Sequence, residues 1–267
     1  MRFALGPGKA PFRGAFFVLA AWLLAAALPV SADCPADRTD EIAAVRHIHD
    51  GDTLTLRDGR RIRLIGVNTP ELGRDGKPHQ PLALRARDRL RQLVFSSNQQ
   101  VRLRYGEQHR DRHGRTLAHL FLADGSNASA RLLSEGLGWA LAIPPNLWSL
   151  DCYLDAERRA RQARRGVWSL ADYRPVDSTR LGLRDSGFRL VRGRVVRVAD
   201  SRSALWINLE GRFAIRIPRD DLAWFHPRPD RSWTGRTLEV RGWLYATRGE
   251  LRVNLHHPAS MRILDTD

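Results

Sequence analysis

Four short stretches bring together side chains suited to handling a phosphate and a cation. They are HDGDTLTL with Asp52, RLIGVNTPE from Arg63 to Glu71, DRHGRTLA with Arg115, and a late helix closed by Gly166-Val167-Trp168. A guanidinium grips a phosphate through two parallel donors, and oxygen ligands suit a hard divalent cation. Attack of water on a phosphodiester builds negative charge on the phosphoryl oxygens, and arginines with a divalent cation are the matching counter-charges. Taken singly, each stretch has an ordinary reading: Asp-Gly is a common turn, Thr-Pro-Glu often only starts a helix, and an arginine after glycine is often a surface residue. The signal lies in their order and spacing.

The elements that must position these residues follow from hydrophobic periodicity. Short runs of β-branched residues and leucine over 42–53 and 60–67, separated by Asp50-Gly51 and Asp58-Gly59, are strands and turns. In RRIRLIGV the alternation places Ile62 and Leu64 inside and sends Arg61 and Arg63 to the other face. Residues 82–94 repeat apolar side chains at helical spacing (Leu82, Ala86, Leu90, Leu93). Strands are expected over 101–105 and 116–122, with the polar loop GEQHRDRHGR between them. A short helix capped by Asn127 ends at Gly136, and a last helix runs over 150–165 to Gly166, with Trp168 as a core plug. Residues 171–186 lose both periodicities and read as a linker. From 187 to 264 five strand-like runs, with one weak helix around DDLAWF, predict a small barrel.

The four stretches together resemble the staphylococcal-nuclease-like (thermonuclease) family, over about residues 42–170. The family pattern is Asp-Gly-Asp-Thr, then Arg-Leu-x-x-x-Asp-x-Pro-Glu, then Asp-x-x-Gly-Arg, then a closing helix. These stand here as Asp50 to Thr53, Arg63 to Glu71, Asp111 to Arg115 and the helix before Gly166-Val167-Trp168. The resemblance implies an α+β fold, an OB-type five-stranded barrel with three helices, and a calcium-dependent phosphodiesterase acting on DNA and RNA. It implies Asp52 and the Thr69 carbonyl as metal ligands, Arg63 and Arg115 as the clamp on the scissile phosphate, and Glu71 as the residue that positions or deprotonates water. Asn68 stands where the family has a second metal-binding aspartate. An amide oxygen still coordinates calcium, but the site loses one formal charge, and ligand charge controls calcium affinity. The family's phosphate-loop Lys-Tyr pair is here Arg112-His113, and the tyrosines flanking the family's base pocket correspond to Ala142 and Pro144. His113 is either a phosphate ligand or a solvent-facing loop histidine.

Residues 187–264 look more loosely like a small all-β OB barrel that binds nucleic acid. Trp206, Phe213, Trp243 and Tyr245 are there either to stack on unpaired bases beside the arginines or to fill the barrel. The chain of 267 residues carries a formal net charge of +15. That balance favours polyanionic partners. Nearly all of the positive charge is arginine, which suits phosphodiesters or reflects a high-GC codon habit.

Arg2, Lys9 and Arg13 precede an apolar run ending in Val30-Ser31-Ala32, the pattern of a signal peptide over residues 1–32; an uncleaved anchor is the competing reading. Cleavage predicts a periplasmic or secreted protein with no stable membrane insertion, expected to be a monomer. In such a compartment Cys34 and Cys152 would pair, with free thiols or a lipid-modified Cys34 as alternatives. No Gly-x-Ser-x-Gly, no His-Glu-x-x-His and no clustered cysteines support a peptidase or esterase. Two function classes remain: an exported metal-dependent nuclease, and a nucleic-acid-binding module that kept the barrel but lost its metal through Asn68. The presence together of Asp52, Arg63, Glu71 and Arg115 favours the enzyme.

Overall fold

The computed structural model describes residues 1–2, 34–73 and 75–264. The expected signal peptide lies outside them apart from its first two residues. Among the described residues no helix is long and apolar enough to cross a membrane.

Strands β1 (Glu41–Ile48), β2 (Thr53–Leu56) and β3 (Arg61–Leu64) form an antiparallel meander, and β4 (Gly66–Asn68) then leaves it. After helix α1 (Ala83–Ser96), β5 (Gln100–Arg110) and β6 (Thr116–Phe121) return and close a barrel in the order β1-β2-β3-β6-β5, with β3 and β6 parallel. Helix α2 (Ala128–Ser134), strand β7 (Trp139–Leu141) and helix α3 (Leu150–Gln162) complete the expected OB-type barrel with three helices. Period two puts Ile62 and Leu64 in the core, and period 3.6 gives α1 its buried stripe of Ala83, Ala86, Leu90, Leu93 and Val94. Asn127 caps α2 as expected, its side chain accepting from the Ala130 N–H at 3.1 Å.

One expectation at the end of this barrel needs correction and a second needs refining. Helix α3 stops at Gln162, because Arg164 and Gly166 both take positive φ; a Cβ at Gly166 would sit 2.1 Å from the Gly136 carbonyl oxygen. Trp168 does pack against the core, but half-buried at its edge with the Arg161 guanidinium 4.9 Å from its ring centre, and the fully enclosed residue is its neighbour Val167.

Strand β4 is placed by α3. Gly66 has φ 85°, and a Cβ there would lie 2.2 Å from the Tyr153 ring. Only glycine allows that approach. The buried Tyr153 hydroxyl in turn accepts from the Asn127 amide at 2.8 Å and bonds His119 Nδ1 at 2.7 Å. Burial pushes His119 down to about 3, so the ring is neutral. The adjacent Cys152 is joined to Cys34 in a disulfide that spans 118 positions of the chain. By the chain-entropy argument such a link is worth about 4–5 kcal/mol through restriction of the unfolded state.

The second barrel has the connectivity of the first. After the two-residue β8 (Val176–Asp177), strands β9 (Gly187–Asp200), β10 (Ala204–Leu209), β11 (Phe213–Pro218), β12 (Thr237–Thr247) and β13 (Glu250–Asn254) close in the order β9-β10-β11-β13-β12. β11 and β13 are parallel, and β14 (Met261–Ile263) extends the β12 edge. The weak helix expected around DDLAWF is a 3-10 helix over Arg219–Trp224.

Described residues from Cys34 onward form one compact unit. A core of its own joins the barrels: Trp139 of β7 packs on Phe188 of β9 at 4.2 Å and on Tyr173 at 4.8 Å, with Val167 and Leu190 around them. Tyr173, from the 171–186 segment, also donates its hydroxyl to the Pro81 carbonyl at 2.8 Å. Around this core Arg241 of β12 bonds Glu157 at 2.6 Å and the Ala140 carbonyl at 3.0 Å, while Arg161 reaches Glu239 at 2.8 Å.

Candidate active site

The Asp50-Gly51-Asp52 turn between β1 and β2 is pressed against α1 and the end of β4. A Cβ on Gly51 would lie 2.7 Å from the Ala86 methyl and 2.8 Å from the Thr69 side chain. This lack of space turns Asp52 inward. Its Oδ2 accepts from the Thr69 N–H at 2.8 Å and the Thr69 hydroxyl at 3.1 Å. Its Oδ1 accepts from the Thr53 hydroxyl at 3.0 Å and lies 3.3 Å from Arg63 Nε. Both Asp52 and Arg63 are buried.

Alternation sends Arg63 away from the barrel interior, yet the chain turns back over it. Arg63 Nη1 donates to the carbonyls of Leu64 at 2.7 Å and Val67 at 2.8 Å, and Nη2 donates to Asn68 Oδ1 at 3.2 Å. Asn68 belongs to β4, opposite Trp139 of β7. Glu71 follows three residues later, and its backbone is held by Gln80, whose side-chain oxygen accepts from the Glu71 N–H at 2.8 Å and whose own N–H donates to the Glu71 carbonyl at 3.0 Å.

The second arginine comes from the β5–β6 hairpin. Asp111 organises that loop, accepting from the N–H groups of His113 at 2.9 Å and Arg115 at 3.0 Å and from Arg115 Nε at 2.7 Å. Burial works to raise the Asp111 pKa, but the bonds from Arg115 and the loop amides outweigh it and hold it below the ordinary value. So fixed, Arg115 directs Nη1 to the Thr53 hydroxyl at 3.4 Å. The two guanidiniums thus meet consecutive residues, Asp52 and Thr53. Arg112 and His113 sit exposed at the hairpin tip, with Arg112 Nε donating to His113 Nε2 at 3.1 Å. His113 lines a cleft of about 450 Å³ with Arg115, Arg110, Arg60 and Arg61; Arg112 does not.

The structure therefore gathers Asp52, Arg63, Asn68 and Thr69 through direct contacts and brings Arg115 to them by way of Thr53. Glu71 shares a separate cleft with Asp50. Cys34 and Cys152 serve the scaffold. Asp50 and Asp111 are site residues that the reading of the sequence used only as motif and turn letters. Asp50 is buried, accepts from the Asp52 N–H at 3.0 Å, and is pushed up to about 7 by burial and by the charge of Asp52. The doubled aspartate of Asp-Gly-Asp was the available signal.

A buried carboxylate pair of this kind suits a cation that would relieve its repulsion. The oxygen donors at hand are Asp50, Asp52, the Asn68 amide and the Thr69 carbonyl, which fit a hard divalent ion such as calcium. Among the described residues no three His, Cys, Asp or Glu side chains cluster for a metal. Carboxylate charge in this set is therefore sparse.

On the second barrel, Phe213 is buried in phase with Ile215 and Ile217 and is a core residue. Trp243 is half-exposed. Trp206 lies on the outer face across from Arg216, with the Arg252 guanidinium 4.6 Å over its ring, and Tyr245 is opposite Arg252.

The family model for staphylococcal nuclease homologues matches residues 61–170. The thermonuclease of Staphylococcus hyicus is 33% identical over 137 residues, covering 50% of this chain and 79% of that protein. The thermonuclease of Staphylococcus intermedius is 35% identical over 135 residues, covering 49% and 79%. The micrococcal nuclease of Shigella flexneri is 32% identical over 168 residues, covering 59% and 88%. The chain belongs to the staphylococcal nuclease family. Its fold and its relatives are those of a nuclease.

The raised Asp50 pKa has a defined consequence for stability. A carboxyl held above its unfolded value costs nothing while protonated in both states, and its penalty grows as pH rises from about 4 to above 7. In chelator at pH 8, Asp50→Asn should therefore unfold at higher denaturant than wild type, by roughly 2–4 kcal/mol. The difference should vanish at about pH 4, and equal stabilities at pH 8 would show that Asp50 carries no such burden.

Proposed function

We propose that the protein is an exported, calcium-dependent nuclease that hydrolyses phosphodiester bonds of DNA, RNA or both. The observation that carries this reading is the convergence of Arg63 and Arg115 on Asp52 and Thr53, 3.3 and 3.4 Å away. Two guanidiniums fixed on β3 and in the β5–β6 loop, with Glu71 on the segment after β4, would form a cradle for an anion whose charge grows during reaction.

Asp52, Asn68 and the Thr69 carbonyl would hold calcium, with Asp50 behind Asp52. Bound calcium supplies positive charge that polarises the phosphoryl group. Arg63 binds one phosphoryl oxygen through Nη2, exchanging its bond to Asn68 for the phosphate, while Nη1 stays on the Leu64 and Val67 carbonyls and holds the guanidinium in place. Arg115, steadied by Asp111, neutralises a second oxygen. Glu71 orients the attacking water and takes its proton. Export is supported by the Cys34–Cys152 disulfide, a bond of oxidising compartments.

Incubation with labelled single-stranded DNA and RNA tests the reading. Cleavage should appear in calcium, vanish in chelator, and fall at least 100-fold in Glu71→Gln, whereas Asn68→Asp should lower the calcium concentration for half-maximal rate. Cleavage persisting in chelator contradicts the metal requirement; binding without cleavage under every condition favours the binding module.

We further propose that the second barrel, residues 187–264, binds the unpaired polynucleotide on the face carrying Trp206, Arg216 and Arg252. The Arg252–Trp206 stack places positive charge beside an aromatic platform, which supports this reading. Trp206→Ala should raise the KM for a long single-stranded oligonucleotide about tenfold with kcat unchanged. An unchanged KM would remove the barrel from substrate binding.

A further inference from the structure

A second cleft, of about 570 Å³, is lined by Arg46, His49, Arg61 and His79 together with Asp50 and Glu71. We infer that this cleft is a phosphate subsite, taking the polynucleotide phosphate next to the scissile one on the side away from Arg115. The inference rests on the nuclease reading and extends it.

Arg46 reaches the cleft because β1 bulges there. Val45 pairs with Leu56 and His47 with Thr55, leaving Arg46 as the extra residue. The burial alternation breaks at the same place, with Arg46 and His47 both exposed. A bulge re-aims a side chain and is common beside active sites.

Arg61 enters from β3 opposite Thr55 and lines both this cleft and the one containing Arg115 and His113. Arg61 and Gly59, at the β2–β3 turn, are shared by the two clefts, which therefore lie side by side there. His49 is fixed by a 2.7 Å bond between Nε2 and the Thr55 hydroxyl, and His79 Nδ1 accepts from the Gly73 N–H at 2.9 Å. Two arginines and two imidazoles around an open polar cleft are chemistry for a phosphate.

The test compares wild type with the Arg46→Ala/Arg61→Ala double variant on dithymidylate and tetrathymidylate. The double variant should raise the KM for tetrathymidylate about tenfold more than it raises that for dithymidylate. Its binding of longer single strands should also show a salt dependence shallower by about 0.7 in log–log slope, the value for one lost phosphate contact on a single strand. The Arg46→Lys/Arg61→Lys pair should recover part of the loss, which a folding defect would not permit. A tetrathymidylate KM within twofold of wild type overturns the subsite while leaving the nuclease reading intact. A wild type inactive on both substrates overturns that reading and this subsite with it.

Discussion

The site depends on one buried ion pair, Arg63 with Asp52. Arg63 commits Nε to Asp52 and its remaining donors to Leu64, Val67 and Asn68. Asp52 commits its other oxygen to Thr69. The pair therefore ties the β1–β2 turn, the end of β3 and the whole of β4 to a single point. Breaking such a pair from one side leaves an uncompensated buried charge, at a cost of about 3–5 kcal/mol. A hydrophobic pair of similar volume would serve stability as well or better. What it would lose is a guanidinium already aligned beside a carboxylate.

Support for that point comes from further out than the first barrel. β4, which carries Asn68, pairs with β7, and β7 is where the second barrel docks. Trp139 faces Asn68 across the ladder and packs on Phe188, while Arg241 holds the Ala140 carbonyl and Glu157. On α3, Tyr153 closes against Gly66 at the other end of β4, next to the disulfide. The second barrel is thus part of the scaffold of the site, whatever it contributes to substrate binding.

Much of this was legible in the sequence where the signal is periodic or local. Alternation in RRIRLIGV assigned the faces of Ile62, Leu64 and Arg63 correctly, and Asn127 announced its helix. Alternation reports a face and not what covers it. The burial of Arg63 follows from the turn at Gly66, where the Tyr153 ring, far along the chain, leaves no room for a side chain. Asp50 looked like a turn residue because its coupling to Asp52 depends on the crowding of Gly51 by Ala86 and Thr69. Trp168 packs at the edge of the core and Val167 inside it, a division not legible in the sequence because hydrophobicity cannot tell which of two adjacent apolar residues turns fully inward. Phe213 could have been separated from Trp206 by strand parity alone.

The central claim is that Arg63 works through a fixed fork of donors as well as through its charge. Arg63→Lys keeps the charge and removes the fork. Cleavage of a single-stranded oligonucleotide in saturating calcium measures the difference, with circular dichroism to confirm that the variant is folded. The account predicts a folded variant whose kcat/KM falls by about 100-fold or more; a folded Arg63→Lys with activity near wild type would contradict it.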